Sequence, residues 1–341
     1  MVRRAKILGV GCAVPPAAVS NEALVEFLET SDEWIRQRSG IRQRYWAPQD
    51  ESLSTSDLGL RAAQRALDAA GVDRTAVELI VFATLSPDRA FPGSGCYLQA
   101  KLDLPGIPAL DIRQQCSGFV YGLSIADLYV RAGIYDTVLL VGAEMQSKCL
   151  ERADRGRDMT VLFGDGAGAV VVAATEVEDD SPRSGESFIL SHHLHADGRF
   201  ADELLWASPG TANRIWNPPE LLDTPAVYPQ MNGRLVFQHA VKRMPEVTLE
   251  ALAANGLTTD DVDLFVNHQA NQRINDKVAE ALGVPAEKVV STIADYSNTT
   301  AATIPIGLRA AVDDGRLTPG KLVCSAAFGS GFTWAASLYR W

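Results

Sequence analysis

The strongest constraint on the fold of this chain is an internal repeat. Residues 66–81 return as residues 251–266, an offset of 185, and both copies pass from a helical pattern through a glycine into an apolar run. A repeat of this length indicates two copies of one structural unit. We therefore predict an α/β fold of two duplicated halves, residues 1–175 and 176–341, divided near the acidic segment 175–186.

Apolar periodicity predicts alternating strands and helices in both halves. Residues 198–230 hold five of the 17 prolines, so we expect a long covering loop there. The glycine-rich run 164–168 lacks the ending of a phosphate loop and leads into β-branched residues, so we expect a tight turn into a strand. The predicted helices are 21–28, 56–70, one from about 116, 234–254, 271–282 and 299–313, and the predicted strands are 5–14, 77–84, 107–112, 136–143, 262–267 and the closing strands within 321–341.

Cys116 lies where a strand pattern gives way to a helical one. Free N–H groups and the dipole at a helix N-terminus stabilise an anion, so we expect the Cys116 thiol to have a lowered pKa. A second offset, 182 residues between 132–134 and 314–316, carries Cys116 onto Asn298, and His268 closes a predicted strand. A lone cysteine is more often a buried structural residue, and these two partners favour a nucleophile instead.

Composition excludes several classes of function. The net charge of −11 argues against a general nucleic-acid binder, and no apolar run approaches the ~18 residues of a membrane span. The five cysteines are scattered without a CxxC pair, which is typical of a reducing compartment, so we expect a cytoplasmic protein. Residues 192–195 contain three histidines, but no cysteine or carboxylate pair accompanies them, and we expect no metal site.

Four segments together resemble the β-ketoacyl-acyl-carrier-protein synthase III family. The segments are CSG at 116–118, VNHQANQRI at 266–274, SNTTAATIP at 297–305 and FGSGFTW at 328–334. The resemblance covers nearly the whole chain. It implies the thiolase fold, with five layers in the order α-β-α-β-α, and a homodimer.

The resemblance also implies a reaction. Cys116 takes an acyl group from acyl-CoA, and His268 and Asn298 then assist decarboxylation of a malonyl group on its carrier protein or on CoA. The resulting carbanion attacks the acyl thioester and gives a β-ketoacyl thioester, in fatty-acid or secondary-metabolite biosynthesis. No cofactor is implied beyond acyl-CoA as substrate.

The resemblance assigns further residues to binding roles. They are the backbone amides of Cys116 and Ser330 for the oxyanion hole, Trp34, Arg38 and Arg155 for the CoA nucleotide, Phe91 for the acyl tunnel of a partner subunit, and Arg273 and Lys277 for carrier-protein docking. On a neighbouring helix, His239, Lys242 and Arg243 are spaced to share one face, a second candidate docking surface.

Several positions depart from the family pattern. Arg113, Gln114 and Gln115 stand where small residues often precede the cysteine, and a similar run occurs in a secondary-metabolite branch that condenses aromatic or long acyl units. Ser297 replaces the glycine before the asparagine. These departures leave the acyl donor, and a housekeeping or specialised pathway, open.

Three other functions fit the same fold. An acyltransferase would move the acyl group from Cys116 to an oxygen or nitrogen acceptor without decarboxylation. A hydroxymethylglutaryl-CoA-synthase-like enzyme would need a glutamate base close to Cys116, and the sequence assigns none. A non-enzyme partner subunit typically lacks the cysteine, so the intact set of Cys116, His268 and Asn298 argues against that function.

Overall fold

The computed structural model of this chain describes residues 1–49 and 51–341. Its first half alternates strands and helices, as the periodicity predicts. Its elements are β1 (Val2–Ala13), β2 (Ala18–Ser20), α1 (Asn21–Leu24), α2 (Asp32–Ser39), β3 (Gln43–Tyr45), α3 (Thr55–Ala70), β4 (Leu79–Ala83), α4 (Ser94–Lys101), β5 (Ala109–Ile112), α5 (Gly118–Arg131), β6 (Thr137–Glu144), α6 (Arg157–Thr160) and β7 (Gly166–Val177).

The second half follows the same plan after an acidic connection. Its elements are β8 (Ile189–Ala196), β9 (Leu204–Trp206), β10 (Pro229–Met231), α7 (Gly233–Ala254), β11 (Leu264–Phe265), α8 (Gln272–Leu282), α9 (Ile293–Tyr296), α10 (Thr303–Asp313), β12 (Leu322–Gly329) and β13 (Thr333–Arg340). The predicted strand 262–267 is therefore reduced to two residues, and the predicted loop 198–230 contains the β9–β10 hairpin. The division of the chain at residue 175 stays a prediction, and β7 runs two residues past it.

The two large sheets have five and four strands, and the four strands that correspond follow the same order. The first is β1-β7-β6-β4-β5 and the second is β8-β13-β12-β11. In the first sheet, Leu79 of β4 pairs with Val138 of the parallel strand β6. In the second sheet, Leu264 of β11 pairs with Val323 of the parallel strand β12. Each residue of the second pair lies 185 positions after its counterpart in the first pair. The internal repeat is thus reproduced in the hydrogen-bond register of the sheets.

Helices pack on both faces of each sheet. Along β4, Leu79 and Val81 face a core that contains α5 and α10, whereas Ile80 and Phe82 face a core that contains α3 and α4. The outer face of the second sheet packs against α7 and α8. The result is the predicted five-layer α-β-α-β-α arrangement, with α5 and α10 in the central layer.

Local sequence signals explain where the helices begin and end. At the start of α3, Asp57 Oδ2 accepts hydrogen bonds from the amide of Ser54 at 2.9 Å and from its hydroxyl at 2.7 Å. At the end of this helix, Gly71 adopts a φ of 63°, a left-handed conformation that glycine adopts without steric cost. The amphipathic helix predicted at 56–70 is therefore fixed at both ends by short-range interactions.

The two central helices begin in the same way. A 3-10 turn precedes each one, Gln115–Ser117 before α5 and Thr300–Ala302 before α10, again 185 residues apart. Gln115 and Thr300 have φ values of 44° and 46°, in the left-handed region that strains residues other than glycine. A Cβ added to Gly118 would lie 3.4 Å from Cβ of Ala301, so the two helix starts are in contact.

The expectation that the repeat carries Cys116 onto Asn298 is wrong by three residues. The structural counterpart of Cys116 is Ala301, in the second 3-10 turn. The offset of 182 came from the C-terminal ends of the two central helices, and α10 has 11 residues where α5 has 14. Asn298 lies directly before the second turn instead.

No helix among the described residues has both the length and the apolar character needed to cross a membrane.

Candidate active site

Cys116 lies in the 3-10 turn before α5, and its side chain is 7% exposed. Gly329, the last residue of β12, approaches this turn so closely that an added Cβ would lie 2.8 Å from Cβ and 3.0 Å from N of Cys116. The second half of the chain thus places the Gly329–Ser330 peptide beside the cysteine. The predicted oxyanion hole, formed by the amides of Cys116 and Ser330, would lie at this contact and stays a prediction.

The protonation state of Cys116 differs from the prediction. Burial raises the pKa of this thiol to about 12, and the nearby Glu144 carboxylate adds to the rise. A helix N-terminus stabilises an anion by about 0.3–1 kcal/mol, less than one pKa unit, which is too little to offset full desolvation. The predicted lowering of the pKa is therefore wrong, and Cys116 is a neutral thiol at pH 7.

His268 follows β11 and is held through its backbone and its ring. Its amide donates to the carbonyl of Ala326 at 2.9 Å, and Nδ1 lies 2.7 Å from Oγ1 of Thr303. Burial lowers the pKa of the imidazole to about 3, so the ring is neutral at pH 7. Nε2 is buried and has no hydrogen-bond partner in the described chain, so it is available to a ligand.

The hydroxyl of Thr303 controls the tautomer of His268. Thr303 Oγ1 lies 2.9 Å from the carbonyl of Thr300 as well as 2.7 Å from Nδ1. When the hydroxyl donates to that carbonyl, Nδ1 carries the ring proton and Nε2 accepts hydrogen bonds. When the hydroxyl turns toward Nδ1, Nε2 carries the proton and donates.

Asn298 presents a hydrogen-bond donor. Its backbone amide donates to the carbonyl of Leu162 at 2.9 Å, and its carbonyl accepts from Gly164 at 3.1 Å, so the loop at 162–164 fixes the residue. Its side-chain Oδ1 accepts from the amide of Thr300 at 2.9 Å. The side-chain amide nitrogen, Nδ2, is therefore the group left for a ligand.

The backbone explains the departure at Ser297. Its φ of 57° and ψ of −161° lie in a region used almost only by glycine. Its hydroxyl donates to the carbonyl of Tyr296 at 2.5 Å and fills the space where a Cβ on Gly164 would collide. A glycine at this position needs no such strain, which accounts for the glycine in the family pattern.

Thr300 connects the three predicted catalytic residues. Its amide bonds to Asn298, and its carbonyl lies at the Thr303 hydroxyl that faces His268. Thr300 also lines the same cavity as Cys116. Cys116 and Thr300 thus line one cavity, and Asn298 and His268 are hydrogen-bonded to Thr300 and Thr303 at the start of α10. That the three residues act together stays a prediction.

A cavity of about 1000 Å³ opens at Cys116. Part of its wall comes from the β9–β10 segment through the half-exposed rings of Trp206 and Trp216, and the hydroxyl of Ser330 donates to the carbonyl of Leu204 in β9. The segment predicted to be a covering loop therefore forms part of the cavity wall, and it is linked to the peptide beside Cys116.

The residues predicted to contact CoA lie together on one surface. Arg38 and Arg157 place their guanidinium groups 4.6 Å and 4.8 Å from the ring centre of Trp34. Arg155, two residues before Arg157, is exposed and pairs with Glu151. This cluster combines a flat aromatic ring with several cations, which suits a nucleotide with phosphates.

The two predicted docking surfaces, on α8 and on α7, differ in how exposed their residues are. Arg273 and Lys277 are both exposed on α8, and Lys277 pairs with Glu280 at 2.6 Å. On α7, His239 packs against the rings of Phe200 and Phe332, whereas Lys242 is exposed. His239 therefore does not share an open charged face with Lys242.

Two other features of the sequence, Phe91 and the histidine run at 192–195, have clear positions in the structure. Phe91 is 86% exposed, so its ring is free of this chain's own cavity. In the histidine run, His193 and His195 both bond to Glu250, at 3.2 Å and 2.7 Å.

Sequence reasoning missed three residues of this region, Glu144, Thr303 and Arg157. Glu144 ends β6 and is fully buried, Thr303 begins α10 and faces His268, and Arg157 lies against Trp34. The position of Glu144 directly after the predicted strand 136–143 was the one available signal. The partners of all three come from distant segments, so spacing could not identify them.

Comparison with known proteins agrees with this geometry. Residues 110–198 match the family described as 3-oxoacyl-[acyl-carrier-protein] synthase III, and residues 252–341 match its C-terminal region. A β-ketoacyl-[acyl-carrier-protein] synthase III of Rhodospirillum rubrum is 48% identical over 342 residues, covering 99% of each chain.

Solved structures give the same result. The 3-oxoacyl-[acyl-carrier-protein] synthase III of Aquifex aeolicus is 38% identical, with a TM-score of 0.87 over 99% of this chain and 100% of its own. The priming β-ketosynthase of the R1128 polyketide pathway is 33% identical, also with a TM-score of 0.87, over 99% and 97%. The chain therefore has the thiolase fold and belongs to the 3-oxoacyl-[acyl-carrier-protein] synthase III family of condensing acyltransferases.

Proposed function

We propose that the chain carries out the decarboxylating condensation of its family with Cys116 as nucleophile and with His268 and Asn298 as hydrogen-bond donors. Cys116 accepts an acyl group from acyl-CoA. A malonyl thioester then loses carbon dioxide, and the carbanion attacks the acyl group to give a β-ketoacyl thioester. The observation that supports this proposal is the turn at the start of α10, which meets the Cys116 helix start and is hydrogen-bonded to Asn298 through Thr300 and to His268 through Thr303.

The first step requires stabilisation of a tetrahedral oxyanion. Gly329 contacts the Cys116 turn without a side chain, and we assign the neighbouring amides of Cys116 and Ser330 to the oxyanion. Two preorganised amides stabilise the developing negative charge and require no reorganisation during the reaction. Formation of the acyl-cysteine divides the condensation into two easier steps.

The second step places negative charge on the malonyl thioester oxygen. Nδ2 of Asn298 and Nε2 of His268 are the two donors we assign to that oxygen, with His268 in the tautomer that carries its proton on Nε2. Since the pKa of His268 is about 3, the ring donates as a neutral group and does not become a cation that would hold the malonyl carboxylate.

The partners follow from the same assignment. We propose acyl-CoA, bound by the Trp34 cluster, and malonyl-acyl carrier protein, docked at Arg273 and Lys277, as substrates, in a homodimer to which Phe91 contributes. No further cofactor is needed, because we assign protein hydrogen-bond donors to both oxygen atoms on which negative charge develops, the acyl oxyanion and the malonyl thioester oxygen. The scattered free cysteines fit a cytoplasmic location.

The test separates the two steps. Intact-protein mass after incubation with acetyl-, butyryl-, octanoyl- and benzoyl-CoA reports loading of Cys116, and labelled carbon dioxide reports decarboxylation of malonyl-carrier protein. Cys116→Ala should gain no acyl mass. His268→Ala and Asn298→Ala should still load and should lose decarboxylation by roughly 10²–10³-fold, the usual effect of one oxyanion donor. Acylation that persists in Cys116→Ala would contradict the proposal.

The same assay distinguishes the proposed condensation from the alternative, a non-decarboxylating acyltransferase. A non-decarboxylating acyltransferase would load Cys116 and pass the acyl group to an acceptor with no labelled carbon dioxide released. Release of carbon dioxide at the rate of product formation excludes it.

A further inference from the structure

The proton of Cys116 needs an acceptor. Since burial raises the pKa of this thiol to about 12, the thiol must lose its proton as it attacks the acyl-CoA. Neutral His268 is a weak base, because burial lowers its pKa to about 3. A second buried group, Glu144, lies close enough to Cys116 to raise the pKa of the thiol further.

Glu144 is held in one orientation at the end of β6. Its side chain is fully buried, and its carboxyl accepts hydrogen bonds from the hydroxyl of Ser86 at 2.7 Å and from that of Thr84 at 3.2 Å. The amides of Ser86 and Leu85 also approach it, both at 3.2 Å. A buried carboxyl with this many donors is fixed but not paired with a cation.

Thr300 contacts both this carboxyl and the cavity. Its buried hydroxyl makes no hydrogen bond of normal geometry among the described residues, yet it lies near enough to Glu144 to lower the raised pKa of that carboxyl. Thr300 and Cys116 line the same cavity, and Thr300 has a strained backbone conformation with a φ of 46°. An unsatisfied buried hydroxyl in this position can both accept a proton and donate one.

We propose that Glu144, through the Thr300 hydroxyl, receives the proton of the Cys116 thiol when Cys116 attacks the acyl-CoA thioester. The Cys116 S–H bond breaks, a bond forms between Sγ and the acyl carbon, and the bond between that carbon and the CoA sulfur breaks. The proton passes from Cys116 to Thr300 while the Thr300 proton passes to Glu144. The departing CoA thiolate then takes a proton back, which restores the Glu144 carboxylate. This inference rests on the proposed loading of Cys116.

The charges around Glu144 suit this role. The titratable groups that face it are the thiols of Cys116 and Cys149, and the pKa of each is raised. The end of β4 and the start of α10 present neutral donors. Burial raises the pKa of Glu144 to about 7, close to the value at which a general base works best at neutral pH.

The experiment measures the rate of Cys116 loading against pH. The probe is whichever CoA thioester of the four-member panel loads the parent fastest, and the readout is quenched-flow intact mass from pH 5.5 to 9.5. In the parent, the rate should rise as Glu144 ionises through pH 7 and then level off. Glu144→Gln should lose this inflection and load roughly 10²-fold more slowly at pH 8, a typical general-base effect.

Matched variants separate proton transfer from structural damage. Thr300→Val should show the same loss as Glu144→Gln, and Thr300→Ser should restore most of the rate. Asp165→Asn removes another buried carboxylate, held by the amides of Ser147 and Ala47, and should load with the parent's pH profile.

Each other outcome contradicts the inference. If Glu144 merely repels the thiolate, Glu144→Gln will load faster than the parent. If it merely supports the turn at 84–86, the loss will be uniform in pH, and Thr300→Val will load normally. If no panel member loads the parent, the proposed function fails and this inference fails with it.

Discussion

The two halves of the molecule have the same scaffold and different chemistry. At the offset of 185 that aligns the sheets, Cys116 corresponds to Ala301, and Glu144 corresponds to Gly329. In the opposite direction, His268 corresponds to Ala83 and Asn298 to Arg113. The first half therefore supplies the proposed nucleophile and a buried carboxylate, and the second supplies the two nitrogen groups proposed as hydrogen-bond donors. The difference shows that the repeat determines position, whereas the substituted residues determine reactivity.

The carboxylate present only in the first half should make stability depend on pH. The pKa of Glu144 rises from 4.5 to about 7 on folding, so the folded state holds its proton longer than the unfolded state. Ionising the buried carboxyl of Glu144 therefore lowers the free energy of unfolding. This destabilisation is absent below pH 4.5, grows between pH 4.5 and pH 7, and is fully present above pH 7. Relative to the parent, Glu144→Gln should therefore gain roughly 3 kcal/mol of unfolding free energy between pH 4.5 and pH 8. Urea unfolding at both pH values measures it, with exposed Glu33→Gln as control, and a constant difference would contradict it.

A pair of glycines tests the contact between the halves. A Cβ at Gly329 would lie 2.8 Å from Cβ of Cys116, and one at Gly142 would lie 2.6 Å from the carbonyl oxygen of Ala301. Gly329→Ala should slow Cys116 loading by roughly 10²-fold, because small displacements of a reacting group have effects of this size. Gly142→Ala should instead impair decarboxylation more than loading. Equal effects of both variants on loading would show that the two contacts are not independent.

Thr303 begins the second central helix where Gly118 begins the first, so its hydroxyl belongs to one half only. Thr303→Val should reduce decarboxylation about tenfold, the value of one buried hydrogen bond, because it removes the donor that keeps the ring proton on Nε2 of His268. Loading of Cys116 should not change. Thr303→Ser should recover the lost rate, and a variant that slowed both steps equally would indicate general damage.

The smallest effect is expected at Ser297. Replacing Ser297 by glycine relieves a backbone conformation that costs roughly 1–3 kcal/mol, and part of this gain is lost to the greater freedom of glycine in the unfolded chain. We expect Ser297→Gly to stabilise the protein by about 1 kcal/mol in urea unfolding. A destabilised variant would mean that the hydrogen bond from Ser297 to Tyr296 outweighs the strain.

The internal repeat was sufficient to predict the duplicated fold, and the change from a strand pattern to a helical one was sufficient to predict that Cys116 lies at a helix start. They could not predict that the counterpart of Cys116 is Ala301, because the second central helix is three residues shorter and shifts the visible offset. The pKa of Cys116 could not be predicted either. Burial against Gly329 requires the folded second half, and the approach of Glu144 to Cys116 requires the tertiary fold of the first half. Family likeness identified His268, but its tautomer depends on Thr303, whose contact is tertiary.

The contact between the two central helix starts has a further consequence. Two separate copies of one half, related by a true two-fold axis, would bring identical residues together: a thiol would face a thiol, and an imidazole would face an imidazole. Because both copies belong to one polypeptide, a substitution in one copy is never repeated in the other. One gene therefore encodes both the proposed nucleophile and the proposed hydrogen-bond donors, and the difference between the two copies is inherited as a single unit.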